Sequence, residues 1–500
     1  MGKDFIGKID LWVAVWFAYY VCNTLAVSHT PCAGVFLHTC GWVSLYMLLR
    51  CLPLARIDGR VWAYVCAALG CWQAVTGLAQ LFGYSASGHH LYAMTGSFFN
   101  PAPFGAFLAV MLSVVTAAYR ERHDRMLAAA GCLLLVVLPA AWSRAALLSY
   151  AVCLAMLYRT YIIRYRKMVA LCAAIAAVSL YLIKQGSANS RVLMLLASFG
   201  AWTDNLLLGT GTGGYMHALG ESQAAYFAAH PESAFTECVG IADMPFNEPM
   251  RIAVEQGLVG LALTAVIMSL AARRLRRVSH PLFYGMVALS VFSLFSYPLS
   301  IPAFGVVLAV IVATAADTGH VSTSCVGRAC ALAGSVALGV AVCAMLLPRR
   351  EAKDVYGRFA YVDNEVFIKD HYELLPRLDD DRRFLFGFGM LLRRAGRYND
   401  SNAMLSRGAM LSADPMFHIL MGRNCEDMQE YGMADSLYAH AFRMVPNRIY
   451  PLYRQMKLYE NMGDTVRMRS KAAEIADFRV KVESPATREM KREAGKCMPR

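Results

Sequence analysis

An all-α protein is predicted: a polytopic bundle of membrane helices followed by a soluble α-helical repeat domain. Three observations carry this. The 500-residue chain is 57% hydrophobic and only 17% charged, with a mean hydropathy of +0.41, too apolar for an ordinary soluble protein. Its first 348 residues are a series of apolar segments with short charged connections. From Arg349 onward charges are scattered throughout, no apolar run is long enough to span, and a helical pattern recurs.

A bilayer core about 30 Å thick needs about 20 apolar residues of helix. On that measure eleven spans are expected, near 10–27, 34–52, 61–83, 101–118, 126–142, 145–158, 168–184, 249–271, 281–297, 302–316 and 328–347. The fifth and sixth are short enough to form a hairpin that does not cross fully. The first is not read as a cleaved signal peptide, because no small-residue cleavage site follows it and ten more spans do. Basic residues crowd alternate connections: Lys3 and Lys8; Arg50, Arg56 and Arg60; Arg120, Arg122 and Arg125; Arg159 to Lys167; Arg273 to Arg277. The other set carries only Arg144 before the long loop. This asymmetry puts the N-terminus in the cytoplasm, and the long 185–248 loop and everything after Pro348 on the opposite face. A net charge of +13 distributed in this way describes cytoplasmic loops beside membrane lipids and gives no reason to expect nucleic acid. The fifteen cysteines form no CxxC pairs and lie mostly in apolar runs, so neither a zinc site nor a disulfide framework is indicated.

After a helical linker over 349–382, the stretch 383–480 carries three similar segments aligned on Gly396, Gly432 and Gly463 and on Pro415 and Pro446. Spacings of 36, 31 and 31 residues resemble tetratricopeptide repeats. Such repeats offer a concave surface for a partner or acceptor, or a scaffold that steadies the membrane half. The basic tail 481–500 reads as a solvated helix end.

Chemically versatile residues of the membrane half concentrate in the loop: Arg191, Asp204, His217, Glu221, His230, Glu232, Glu237, Asp243, Asn247 and Glu248. Arg144, in AWSRAALLSY, and Arg191, in SANSRVLML, both stand at the non-cytoplasmic surface. A guanidinium fork suits the oxygens of a lipid-linked phosphate; the competing role is a snorkelling anchor. The GTGTGGY stretch, with Gly211 and Gly213, offers backbone donors to an anion, or is a tight loop packed on the membrane surface. In FNEPMRIAVEQGLVGL, Asn247 or Glu248 caps a helix that opens with Pro249 and points its free N–H groups and positive dipole end at the surface. Arg251 and Glu255 share one face of that helix and are placed to pair.

Taken in order, GSFFNPAPFGAFLAVM, WSRAALLSY, the R…DNLLLGTGTGGY block and FNEPMRIAVEQGLVGL resemble the blocks of the O-antigen ligase and O-antigen polymerase superfamily, which includes bacterial protein O-oligosaccharyltransferases. The resemblance covers about residues 90 to 270, plus the overall topology. It implies a class C glycosyltransferase-like membrane bundle, a bacterial inner-membrane enzyme of lipopolysaccharide or related cell-envelope biosynthesis, with loop and C-terminal domain periplasmic. Such an enzyme takes a glycan from an undecaprenyl diphosphate donor and passes it to lipid A core, to another glycan or to a protein. By the same resemblance Arg144 and Arg191 hold the diphosphate, and the helix start at Asn247 and the backbone donors at Gly211 and Gly213 are further candidates to bind it. Where the family carries a His before the Asn of the last block, this chain has Phe246. That leaves Glu248, Asp243, His230 or His217 as the catalytic side chain, or no side-chain base. Arginines and a helix N-terminus can stabilise a diphosphate leaving group unaided, so no metal and no cofactor are expected. Two rivals come from other classes. A flippase or transporter would bury ionisable groups near the midplane, and 281–316 contains no Asp, Glu, Lys or Arg. A plain anchor for the repeats would not need eleven spans.

Overall fold

The computed structural model describes residues 7–28, 32–168, 170–171, 185–241, 246–316, 325–360 and 365–498. These residues are helices joined by turns, and no strand forms among them beyond one isolated bridge between His89 and Tyr92. The first half contains α1 (Lys8–Ala26), α2 (Ala33–Arg50), α3 (Gly59–Leu81), α4 (Pro101–Arg122), α5 (Arg125–Ala140), α6 (Arg144–Leu157) and α7 (Arg159–Arg164). The segment 185–248 is itself helical, with α8 (Gln185–Asp204) and α9 (Tyr215–Ala229). Then come α10 (Glu248–Val278), α11 (His280–Ser293), α12 (Pro302–Ala316) and α13 (Cys325–Phe359). The seventh expected span falls mostly outside the described residues.

Among the described residues five helices are long and apolar enough to cross a bilayer: Lys8–Ala26, Gly59–Leu81, Pro101–Arg122, Glu248–Val278 and Ala329–Phe359. Four shorter apolar helices accompany them: α5, α6, α11 and α12. Their outward faces carry exposed Leu11, Val15, Leu69, Trp72, Val136 and Val340, an apolar belt that lipid solvates and water would not.

Helix α4 is the centre of the bundle. Within its apolar window 83% of residues are buried, against 11–39% in the other four long helices, and it packs against α3, α5, α6 and α11. Since lipid is as apolar as a side chain, such packing relies on close approach by small residues. A Cβ on Gly77 would lie 2.6 Å from the Phe104 ring, and one on Gly70 2.9 Å from Leu134. The polar stretch before α4 is held by two buried glutamines of α3. Gln80 accepts from the Thr95 and Gly96 N–H groups, and Gln73 accepts from Ser97 N–H. Asn100 then caps α4 by accepting from Ala102 N–H at 3.0 Å. GSFFNPAP is thus a built helix start.

The expected boundary at Pro348 falls inside a continuous helix, because α13 runs through Pro348 to Phe359. Beyond it lie α14 (Ile368–Leu378) and six helices paired as three hairpins: α15 (Arg382–Arg394) with α16 (Tyr398–Ala409), α17 (Met416–Asp427) with α18 (Tyr431–Met444), and α19 (Tyr450–Asn461) with α20 (Thr465–Asp477). The turns of the first and third pairs hold Gly396 and Gly463 at φ +72° and +71°. In the second pair the left-handed position is Gln429, at φ +63°, while Gly432 already lies in α18. The structural period is therefore 33 residues (396 to 429) and 34 (429 to 463). The tail forms α21 (Pro485–Lys496), which begins at a Ser484 capping box and buries Ala494 against the last hairpin.

Candidate functional site

Two ends of the bundle differ in chemistry. At one, acidic residues are engaged by neighbouring helices: Asp10 pairs with Arg50 at 2.7 Å, Glu121 meets His280 at 2.8 Å, and Asp124 accepts from the Tyr64 hydroxyl at 2.6 Å. At the other, contacts gather the turns after α1 and α11, the start of α6 and the 185–248 segment. Thr24 Oγ1 meets Thr212 Oγ1 at 2.7 Å, and Asn247 Nδ2 donates to Leu294 O at 3.1 Å.

Helix α10 starts at this end. Asn247 is its cap, with extended backbone and Oδ1 accepting from Met250 N–H at 2.9 Å. Glu248, 2% exposed, uses Oε1 to accept from Leu299 N–H and Oε2 to accept from Arg251, both at 2.8 Å. Arg251 reaches Glu255 only at 3.9 Å, so of the two carboxylates on its face the nearer is Glu248. Glu248 and Arg251 thus form one clamp joining α10 to the 294–301 turn, with Glu255 standing farther off. A side chain this deeply engaged is a poor proton shuttle.

One turn later α10 breaks. Gly257 stands at φ +64°, ψ −167° within the helix, and the gap is filled by the 206–211 stretch. Leu258 N–H donates to Leu206 O at 2.9 Å, Thr210 N–H to Val254 O at 2.8 Å, and Gly211 N–H to Glu255 O at 2.9 Å. Gly213 and Tyr215 turn their N–H groups toward the Glu255 side chain. The glycines serve close approach: a Cβ on Gly209 would lie 2.6 Å from Glu255 backbone, and one on Gly257 2.1 Å from Leu207 O. The donors that the sequence offered to a diphosphate at Gly211 and Gly213 are directed at this chain's own α10, and the reading of a tightly packed loop describes them better.

The arginines form a second group. Arg144 is the first residue of α6, after Trp142 at φ +49° and the Ser143 cap, whose Oγ accepts from Ala146 N–H. Arg191, on α8, lays its guanidinium 5.2 Å from the centre of the Phe246 ring, and Phe246 packs edge-on against Tyr297 at 5.4 Å. Burial first, and then the neighbouring Arg144 cation, pull the Arg191 guanidinium below its ordinary value. Two cations 47 positions apart in sequence are thus brought within electrostatic range in a partly desolvated place. Among the described residues Arg191 has no carboxylate partner. A cavity of about 380 Å³ opens beside it, lined by Ser190, Met194, Cys238, Ile241, Phe246 and Tyr297. Phe246 is the platform under Arg191, a role that explains an aromatic side chain at this position.

The remaining candidates scatter. Asp243 lies outside the described residues. His230 is exposed, stacks on Tyr226 at 4.8 Å and sets Nδ1 3.0 Å from Tyr226 O; no described contact joins it to either arginine. His217 and Glu221 line a different cavity, of about 850 Å³, between α8, α9 and the glycine turn. There Glu221 Oε1 meets His440 Nε2 at 3.1 Å, and the His440 and His418 rings stand edge to face 4.6 Å apart. Sequence reading missed His418 and His440, which sit on separate helices without any ligand spacing; the one visible signal was His217 and Glu221 at four-residue spacing.

No family model matches the chain, and no curated protein matches it.

Proposed function

We propose that the protein is an O-antigen ligase-like glycosyltransferase of the bacterial inner membrane. It moves a glycan from an undecaprenyl diphosphate carrier to lipid A core, a glycan or a protein at the periplasmic face. The observation that carries this reading is Arg191, a largely buried guanidinium laid on the Phe246 ring within electrostatic range of a second cation, Arg144. Like charges in a low-dielectric place repel, and a diphosphate between them removes the repulsion while its leaving-group charge is stabilised. Eleven crossings, periplasmic exposure of the 185–248 segment and tetratricopeptide-like use of the hairpins as an acceptor surface belong to the same proposal. The break at Gly257 favours the transporter reading on its face, but loop backbone fills it where a transport site would leave it open.

The test is transfer from a purified lipid-linked donor. Arg191→Ala should abolish transfer and weaken donor binding tenfold to about a hundredfold, since a charge-assisted contact is worth roughly 1.5–3 kcal/mol. Arg191→Lys should restore only part, because Lys keeps the charge and loses the fork. Full rescue by Lys with unchanged donor affinity would mean an interfacial anchor. Which acceptor is used follows from a deletion strain, by whether the lipopolysaccharide ladder or the glycoprotein pattern changes.

A further inference from the structure

The cluster of Glu221, His418 and His440 lies outside the proposed transfer site and outside any motif. Its three side chains come from three helices in two parts of the molecule: α9 of the 185–248 segment, α17 and α18 of the second hairpin. Their ligand atoms all lie within 4.8 Å of one another. Two donors bound tetrahedrally to zinc at 2.0–2.1 Å stand about 3.3 Å apart. The Glu221 to His440 distance of 3.1 Å already meets that figure, and side-chain shifts of about 1 Å close the rest. A second observation is independent of these distances. His418 Nδ1 is buried and makes no hydrogen bond, although the fold satisfies most buried polar atoms. His217, one turn before Glu221 on α9, is an electrostatic neighbour of both Glu221 and His418 and lines the 850 Å³ cavity with Glu221.

We propose that Glu221, His418 and His440 bind one zinc ion, with His217 on the cavity side placed to supply the fourth ligand. Imidazole with one carboxylate suits Zn²⁺ over Mg²⁺ or Ca²⁺, which prefer oxygen. The ion joins the 185–248 segment to the hairpins. The seam it crosses is otherwise held by Gln223 Nε2 donating to Met444 O at 2.6 Å, Asn447 Nδ2 donating to Val239 O at 2.8 Å, and an apolar cluster of Leu193, Phe227, Val239 and Met444. This reverses the expectation of a metal-free chain, and it does not depend on the glycosyl-transfer proposal.

The experiment uses the full chain purified in detergent, stripped with chelator and titrated with ZnCl₂, with bound metal counted by elemental analysis. One zinc per chain is expected. The His418→Ala/His440→Ala double variant should bind at least a hundredfold more weakly, and Glu221→Gln at least tenfold. His280→Ala, at the opposite bundle end, should bind like the parent. Monodispersity on size exclusion is checked for each variant, and Glu221→Gln decides if the double variant aggregates. Less than a tenth of an equivalent bound by the parent chain, or parental affinity in Glu221→Gln, overturns the site. Co²⁺ substitution gives a second readout, because a tetrahedral site yields intense visible bands that octahedral, adventitious Co²⁺ lacks.

Discussion

Glu248, Arg251 and Glu255 show how far residue identity alone can be taken. Their spacing places all three on one face of a helix, and the (i, i+4) rule chooses Glu255 as the partner of Arg251. The structure chooses Glu248 at 2.7 Å, because the Leu299 N–H holds that carboxylate in place from another turn. With side chains only 2% and 18% exposed, the pair is structural in weight. Glu248→Ala leaves a largely buried guanidinium facing only the distant Glu255, and it should lower stability by about 3–5 kcal/mol. Glu248→Gln keeps an acceptor for Leu299 and should lose about 1.5–3 kcal/mol. Thermal unfolding of both variants in detergent, at matched lipid content, measures this; an Ala variant within about 0.5 kcal/mol of the parent would show the clamp to be idle. At the same scale Phe246 is legible only once Arg191 is seen above its ring, since nothing in the local sequence links the two.

Elements were easier to read than their interruptions. The apolar runs declared the long helices, and Asp58, Asn100 and Asn247 each cap one by accepting from a backbone N–H. The break in α10 was not visible, because EQGLVGL continues a helical pattern through Gly257. Gly257→Ala places a Cβ about 2.1 Å from Leu207 O at a positive φ, so it should prevent the glycine turn from seating. We expect a loss of at least about 3 kcal/mol, read as a lower unfolding midpoint and as new protease cuts within 205–214; wild-type resistance at both would mean that α10 can straighten without consequence. Gln429 presents the opposite case. It is exposed and sits at φ +63° where the first and third hairpins have glycine. Gln429→Gly should therefore raise stability by about 0.5–1 kcal/mol, measurable as a higher midpoint for the hairpins. A lower midpoint would show that unfolded-state entropy outweighs the relieved strain.

For the whole molecule, contacts bind the two halves at one end. Gly34 N–H donates to Asp380 at 3.0 Å, Arg349 pairs with Asp380, and α9 packs along α18. The hairpins must therefore lie on the same side as the 185–248 segment, whatever the number of crossings. Under the proposed orientation, a reporter enzyme active only in the periplasm and fused after the final residue should be active. A matching fusion within the 120–125 turn should be inactive. The reverse pattern inverts the orientation of the whole protein, and activity at both positions would break the link between halves. Removing everything after Pro348 is a poor test of the hairpins, because it cuts α13 within a continuous helix and strips Met444 and Val445 from the cluster around Leu193.

What the chain decided by itself was local or compositional. Mean hydropathy and apolar run length called for lipid around the first half, helix caps followed from Asn, Asp and Ser at the right positions, and recurring Gly and Pro signalled paired helices, although the middle turn falls at Gln429 and not at Gly432. These depend on residues a few positions apart, where covalent spacing sets the geometry. Tertiary structure decided which distant groups come together: Arg144 within electrostatic range of Arg191, Glu248 on Leu299, the glycine turn on the broken α10, and Glu221 beside His418 and His440. Each joins separate elements, 44 to 52 positions apart in the first three cases and 197 and 219 in the last, and no periodicity encodes such a pairing. It arises when α4 is buried from all sides and the turns at one end of the bundle are left to fill the same space.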